Sequence, residues 1–253
     1  MKGNMRKFVA KCVIVSFFGC LGLLLLGIYS DDNSAFSQIE VPSPRAYLPS
    51  LSHCYMYSTP SGNEWETFKS MVDTLNSIDA DYTVAVGTVL SWYRDCSFVG
   101  NDDLDFMIEF TWFMTNLEKL EAALVSAGWT KIKTFGKLGI IGYEQAWKKK
   151  ESLKADLFSV AQVNGKYVNG LTIGKRTYPC YSIQSSISLQ TWNGLTFPVP
   201  VPTEAYLVGK YGTTWREKHV KGYKWDVEPF KTENGRQHCV DAPMPEFPEH
   251  SGI

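Results

Sequence analysis

Two acids in Asp103-Leu104-Asp105 are the residues of this sequence best placed to do chemistry. The apolar run Leu104–Phe110 predicts a β-strand, on which side chains two residues apart share one face. Asp103 and Asp105 should therefore point the same way while Leu104 enters the core. Two carboxylates held this close repel each other unless a cation lies between them. Oxygen ligands of this kind favour Mg²⁺ or Mn²⁺, although acidic pairs at the start of strands are common.

A Gly-Thr pair precedes these acids by about sixteen residues and directly follows the β-branched and aromatic run Tyr82–Val86. Gly87 at the end of a strand lets backbone amides approach an anion, and the hydroxyl of Thr88 can donate to a phosphate oxygen. A simple turn glycine is the competing interpretation. The pair is therefore a candidate substrate-binding element that needs support from neighbouring residues.

A third acid, Asp156, lies within the strand-like segment Leu153–Val160. Burying a charge in such a segment is costly without a partner. A metal ion shared with Asp103 and Asp105 would supply that partner. The three acids together predict a metal site assembled from two separate strands.

The elements that must position these residues follow from periodicity and turn signals. Helices are predicted over Glu64–Ile78, Val89–Tyr93, Asn116–Ala127 and Thr203–Tyr211. Strands are predicted over Tyr82–Val86, Leu104–Phe110, Trp129–Lys133, Leu138–Trp147, Leu153–Val160, Tyr167–Ile173 and Phe197–Val201. This mixture predicts a single α+β domain with a small mixed β-sheet flanked by helices.

The order strand, Gly-Thr, helix, Asp-x-Asp strand and distant lone Asp resembles the nucleotidyltransferase fold. Three blocks are more specifically similar to the fukutin and LicD family. They are Val86–Cys96 leading to Asp103-Leu104-Asp105, then Leu153–Phe158, and finally Tyr206–Trp215 leading to Trp225-Asp226 and Pro229. Two departures accompany the resemblance. The family carries a larger region ahead of the catalytic domain, and Phe98–Asp102 lacks the Pro common before the acidic pair.

The resemblance implies transfer of a phospho-alditol, such as ribitol 5-phosphate, from a CDP-activated donor to a hydroxyl of a glycan on a glycoprotein or glycolipid. Asp103, Asp105 and Asp156 would be the catalytic, metal-binding acids for Mg²⁺ or Mn²⁺. Gly87 and Thr88 would lie against the phosphates. Asp156 is a candidate to accept the proton of the acceptor hydroxyl. Arg94 is predicted to pair with a phosphate, with a surface salt bridge as an equal alternative.

Three other functions remain open at this point. A phosphocholine-type transferase would use CDP-choline as its donor. A catalytically silent relative would act as a scaffold or chaperone for glycosyltransferases, although three retained carboxylates argue against it. An ordinary glycosyltransferase would also use an Asp-x-Asp pair to bind a metal and a nucleotide diphosphate. The Gly-Thr pair and the lone Asp favour the nucleotidyltransferase arrangement.

The first thirty residues predict a membrane anchor. Basic residues precede the uncharged run 12–29, which as a helix would rise roughly 27 Å, close to the thickness of the hydrocarbon core. We expect a cytosolic tail at 1–11, a signal anchor at 12–29, a lumenal stem at 30–60 and a catalytic domain at 61–253. A cleaved signal peptide is the alternative, but Gly27–Ser30 makes a poor cleavage site. The predicted location is a single-pass type II protein of the Golgi or ER membrane.

The cysteine content agrees with a lumenal compartment, and the net charge bears on the expected partners. Cys54, Cys96, Cys180 and Cys239 lie beyond the apolar run, an even number that fits two disulfides in an oxidising lumen, with three pairings possible. The net charge is -1, so the chain has no overall basic field and nucleic acid is not expected as a partner. The expected partners are the donor, the glycan, the membrane and other glycosyltransferases.

Overall fold

The computed structural model describes Cys54 and residues 62–182, 186–217 and 239–244. The predicted tail at 1–11, the anchor at 12–29 and all of the stem at 30–60 except Cys54 lie outside these ranges. No helix within the described ranges has the length and apolar character needed to cross a bilayer.

Five helices and nine strands make up the described chain. The helices are α1 (Asn63–Ser77), α2 (Val86–Leu90), α3 (Phe110–Thr115), α4 (Leu117–Ser126) and α5 (Thr203–Tyr211), with a π-helical turn at Ser91–Asp95 after α2. The strands are β1 (Tyr82–Val84), β2 (Asp103–Glu109), β3 (Trp129–Phe135), β4 (Glu144–Lys149), β5 (Lys154–Val163), β6 (Lys166–Ile173), β7 (Arg176–Ser182), β8 (Ser186–Trp192) and β9 (Leu195–Val201).

Seven of the strands form one mixed sheet, and five of them follow the order β1-β2-β5-β4-β3. The strand β6 pairs with the C-terminal part of β5, and β7 pairs with β6. Only β2 and β5 run parallel among these pairs; the others are antiparallel. The strands β8 and β9 form a separate antiparallel ribbon. The predicted α+β class with a mixed sheet flanked by helices is confirmed.

Alternation along β2 and β5 gives the central sheet one face that packs into the main core and another that carries the acids beside a smaller apolar cluster of Met107, Phe158 and Val160. Leu104, Phe106 and Leu157 are fully buried in the main core, which also contains the apolar stripe of α1. That stripe repeats every three or four residues, as expected for one side of a helix: Trp65, Phe68, Met71, Val72 and Leu75. The intervening residues of β2 and β5 therefore point to the opposite face, which is where the acids lie.

Several element boundaries differ from those predicted. The helix expected at Val89–Tyr93 begins earlier, directly after β1, because the chain turns sharply at Val86. The strand expected over Leu138–Trp147 begins only at Glu144, and Leu138 lies in an exposed loop. The sequence-based assignment also missed β7 and β8; β8 is largely exposed and so lacks a clear buried face.

Two disulfides resolve the pairing that the sequence leaves open. Cys54 pairs with Cys96, and Cys180 pairs with Cys239. The first bond ties the chain ahead of α1 to the end of the π-helical turn. The second joins β7 to the segment 239–244, which also makes a β-bridge at the same residues.

Candidate active site

The parallel pairing of β2 and β5 brings the three predicted acids together on one face of the sheet. Asp105 lies directly beside Asp156 in this register, and Asp103 lies beside Lys154. The carboxyl groups of Asp103 and Asp156 are close enough to hydrogen-bond. Acids separated by about fifty residues in the sequence are therefore neighbours in the fold.

A lysine lies between two of these acids. The Lys154 ammonium is 3.2 Å from Asp103 Oδ2 and 2.6 Å from Asp156 Oδ2. The side chain of Asp156 is only 6% exposed, whereas those of Asp103 and Lys154 are each 37% exposed. The other oxygen of Asp156, Oδ1, is buried and has no hydrogen-bond partner. The acidic cluster thus opens toward solvent on the side of Asp103 and Lys154.

The Gly-Thr pair fixes Asp105 in place. The Gly87 N–H donates to Asp105 Oδ2 at 2.9 Å, and the Asp105 N–H donates to Thr88 Oγ1 at 2.6 Å. A methyl group on Gly87 would lie 3.1 Å from Asp105 Oδ2, so a larger residue would crowd the carboxylate. Thr88 is fully buried. Both residues contact the acid, and their predicted place beside phosphates stays a prediction.

The turn that carries Gly87 is held from its other side by α5. Val86 adopts a left-handed backbone with φ 41°, an unfavourable conformation for a β-branched residue. Its N–H donates to the hydroxyl of Tyr206 at 2.9 Å, and Tyr206 is 1% exposed. The N–H groups of Val86 and Gly87, which donate to Tyr206 and to Asp105, therefore hold a strained turn between two elements, as is common at functional sites.

Burial and mutual repulsion shape the charges of the cluster. Desolvation raises the pKa of Asp105 well above its usual range, and the nearby Asp103 and Asp156 raise it further. Burial likewise raises the pKa of Asp156, although Lys154 opposes this. Burial disfavours the charge on Lys154, but Asp156 and Asp103 outweigh it and raise the pKa of that ammonium. A cation beside these carboxylates is strongly favoured.

Two further ionisable groups border the cluster. Glu144, at the start of β4, faces the same side as Asp156, and burial followed by repulsion from Asp156 raises its pKa to about 8. Lys210, on α5, is 5% exposed, and burial lowers its pKa to about 7 while Asp105 opposes the shift. Its ammonium lies 5.6 Å from the centre of the Tyr206 ring.

The contacts of Arg94 are with residues other than Asp103, Asp105 and Asp156. Its guanidinium pairs with the carboxylate of Asp95 and also donates to the backbone carbonyls of Trp215 and Glu217. These bonds join the π-helical turn to the segment after α5. The structure shows a salt bridge of Arg94 with Asp95, and the pairing of Arg94 with a phosphate stays a prediction.

The donor set suits a hard divalent cation in chemistry and in charge. Asp103, Asp105 and Asp156 supply only oxygen atoms, one oxygen of Asp156 is buried without a partner, and the Lys154 ammonium already stands between two of them. Within the described ranges, no three residues of the types His, Cys, Asp and Glu are yet gathered as a set of metal ligands. Binding a metal would therefore require the lysine to give up its contacts.

A separate groove of about 500 Å³ lies away from the acids. It is lined mainly by polar residues of α1 and of the turn between β4 and β5. Because α1 covers the apolar face of the sheet, this groove lies behind the acidic cluster. Its lining includes the exposed Lys69–Asp73 ion pair but none of Asp103, Asp105 and Asp156, and we place the chemistry at those three acids instead.

A search of curated proteins finds similarity to two sequences of one transferase. The chain is 26% identical over 167 residues to the ribitol-5-phosphate transferases FKTN, fukutin, of Macaca fascicularis and Homo sapiens. The match covers 65% of this chain, which spans about a third, 35%, of the length of those relatives. The chain is thus similar to fukutin over part of its length. No family model matches it.

A search of solved structures gives a more distant similarity. The lincosamide antibiotic adenylyltransferase LnuA, solved with lincomycin bound, superposes with a TM-score of 0.41 at 15% sequence identity. The match covers 60% of this chain and 86% of LnuA. Similarity at this level carries no conclusion about this chain.

Sequence patterns missed four residues that border or enter the site: Glu144, Lys154, Tyr206 and Lys210. Lys154 carried a usable signal, since a residue two positions before Asp156 on a strand must share its face. Tyr206 and Lys210 are four apart on one helix and so share a side, but nothing local indicates that this side meets Val86 and Asp105. Glu144 had no local signal.

Proposed function

We propose that this chain is a metal-dependent phosphotransferase of the nucleotidyltransferase fold. It would move a phospho-alditol of the ribitol 5-phosphate kind from a CDP-activated donor to a glycan hydroxyl. The observation that carries the proposal is the register that sets Asp105 beside Asp156 across two parallel strands, with Asp103 on the same face. The similarity to FKTN supports the choice of substrate class.

In this proposal Asp103, Asp105 and Asp156 hold Mg²⁺ or Mn²⁺. When bound, such an ion neutralises the charge that builds on the donor's phosphates and orients the reacting groups. Gly87 and Thr88 keep Asp105 in its position through the bonds described above. When no metal is bound, Lys154 contacts the carboxylates of Asp103 and Asp156, and it supplies a positive charge at the exposed side of the cluster.

We also propose that the chain works in an oxidising, lumenal compartment, anchored in the Golgi or ER membrane by residues 12–29. The two disulfides support this compartment, because such bonds persist where thiols are not kept reduced. A glycan acceptor and neighbouring glycosyltransferases of the same membrane are the expected partners.

Calorimetric titration tests the proposal. The full chain would be titrated with CDP-ribitol, CDP-choline and a UDP-sugar, each with and without Mg²⁺. We expect metal-dependent binding of a CDP compound, lost in Asp156→Asn. The matched control is Asp102→Asn, which removes an exposed acid next to the pair and should bind normally. Absence of metal-dependent binding of every CDP compound would overturn the proposal, and tighter binding of CDP-choline would redirect it to phosphocholine transfer.

One observation favours a second candidate, a catalytically silent scaffold for glycosyltransferases. The Lys154 ammonium already fills the position between Asp103 and Asp156, so the chain satisfies these charges without a metal. A scaffold would show no CMP release with any CDP donor and would co-purify with a glycosyltransferase. Under this candidate Lys154→Met should destabilise the fold, and added Mg²⁺ should not restore its stability.

A further inference from the structure

Glu144 lies on the strand next to β5, on the face of the sheet that carries the acids. It opens β4 and pairs in register with Phe158, while Ala146 pairs with Asp156. Paired residues on adjacent strands point to the same face, so Glu144, Ala146 and Asp156 share the acidic face of the sheet. Glu144 lies on the opposite side of β5 from β2, and its side chain is half-buried.

The Glu144 carboxylate differs from the other acids of the cluster in being unengaged. Asp105 accepts from Gly87, and Asp103 and Asp156 both contact Lys154. Within the described residues, no hydrogen bond or ion pair occupies the carboxylate of Glu144. A group that takes up a proton during a reaction needs such an available oxygen.

The charges around Glu144 come from three strands. Asp156 and Lys154 on β5 and Asp103 on β2 face it from one side, and Lys133 on β3 faces it from the other. The two acids raise its pKa and the two lysines oppose them, with burial as the largest cause of the rise. The carboxylate is thus a stronger base, once ionised, than an exposed glutamate.

We propose that Glu144, and not Asp156, accepts the proton of the acceptor hydroxyl. This role rests on the proposed phosphotransfer. The acceptor oxygen forms a bond to the phosphorus that carries the alditol, and its proton passes to a carboxylate oxygen of Glu144. The bond from that phosphorus to the bridging oxygen breaks, and its electron pair leaves with CMP. Asp156 is unsuited to this step because the proposed phosphotransfer uses its carboxylate to hold the metal, and its Oδ1 is buried.

The test compares Glu144→Gln with wild type in the full chain, using CMP release from CDP-ribitol with a glycan acceptor. Removal of a general base lowers rates by about 10²- to 10⁴-fold. We expect a fall in kcat of that size, loss of the limb of the pH profile that reports the base, and unchanged Mg²⁺-dependent binding of the donor. Glu118→Gln, in the first turn of α4, is the matched control and should keep wild-type kcat.

A second variant separates chemistry from folding. Glu144→Asp keeps the carboxylate on a shorter arm, so it should keep the pH limb with an intermediate kcat even if the glutamine variant is poorly folded. Near-normal kcat and an unchanged pH profile in Glu144→Gln would overturn the role of Glu144 alone. If wild type releases no CMP and binds no CDP compound, the proposed phosphotransfer fails, and this role with it.

Discussion

Removing the hydroxyl of Tyr206 is the most direct test of whether α5 holds the turn at Val86 and Gly87 in place. In Tyr206→Phe the N–H of Val86 loses its acceptor beside a side chain that is 1% exposed. Leaving a buried donor unsatisfied costs about 1–3 kcal/mol, and the lower part of that range applies because this bond is only partly buried. The left-handed φ of 41° at Val86 also loses a restraint. We therefore expect a loss of about 1–2 kcal/mol in the free energy of unfolding.

Urea and thermal unfolding would measure this loss. For a domain of this size, 1 kcal/mol corresponds to a change in Tm of roughly 2–4 °C, so Tm should fall by about 2–8 °C. The matched control is Tyr82→Phe, whose hydroxyl donates at 2.9 Å to Asn76 Oδ1, on an exposed side chain that water can solvate. Its loss should be smaller, below about 1 kcal/mol.

The same variant also tests the link between this turn and metal binding. Gly87 follows Val86 and donates to Asp105 Oδ2, so a shifted turn should weaken Mg²⁺-dependent binding of the CDP donor. Tyr82→Phe should leave that binding unchanged. Equal destabilisation by the two variants, together with unchanged donor binding in Tyr206→Phe, would refute the reasoning that α5 positions the Gly-Thr turn.

Three further outcomes are expected. Asp105→Asn should abolish Mg²⁺-dependent donor binding in calorimetry. It should keep or raise the free energy of unfolding at pH 7, because burial and the neighbouring acids already oppose the charge of Asp105. A large destabilisation would contradict this. Replacing Cys180 and Cys239 together by Ser opens a loop with a sequence separation of 59, which should lower the urea unfolding free energy by about 4 kcal/mol. Lys210 titrates near pH 7 when folded but at its usual 10.5 when unfolded, so the unfolded chain holds more protons in between. The contribution of Lys210 to stability should therefore rise from pH 7 toward pH 10, and urea titrations at each pH should show it as a difference between wild type and Lys210→Met that grows with pH.

Local periodicity was enough to place Asp103 and Asp105 on one face. Their spacing of two on a strand fixes their common direction whatever the rest of the chain does, and β2, predicted over Leu104–Phe110, spans Asp103–Glu109. The helix at Thr203–Tyr211 was likewise bounded correctly, because it ends before a glycine that adopts a positive φ. Such features depend on neighbours in the sequence, and so they can be read from it.

The pairing of distant segments could not be predicted in the same way. A sequence can indicate that Asp156 lies in a strand, but the strand beside it and the register are set by packing of the whole sheet. The tertiary structure alone set Asp156 beside Asp105 and brought Glu144 alongside from β4.

The roles of Gly87 and Thr88 show the same division. Their sequence position after a strand was enough to mark them as special, and the structure keeps them at the site. It was the fold, however, that brought Asp105 against both of them and Tyr206 against the preceding residue. The sequence by itself determined which residues could do chemistry and which way the first two acids point. The tertiary structure decided which side chains meet, because contacts between distant segments depend on long-range packing that no local pattern encodes.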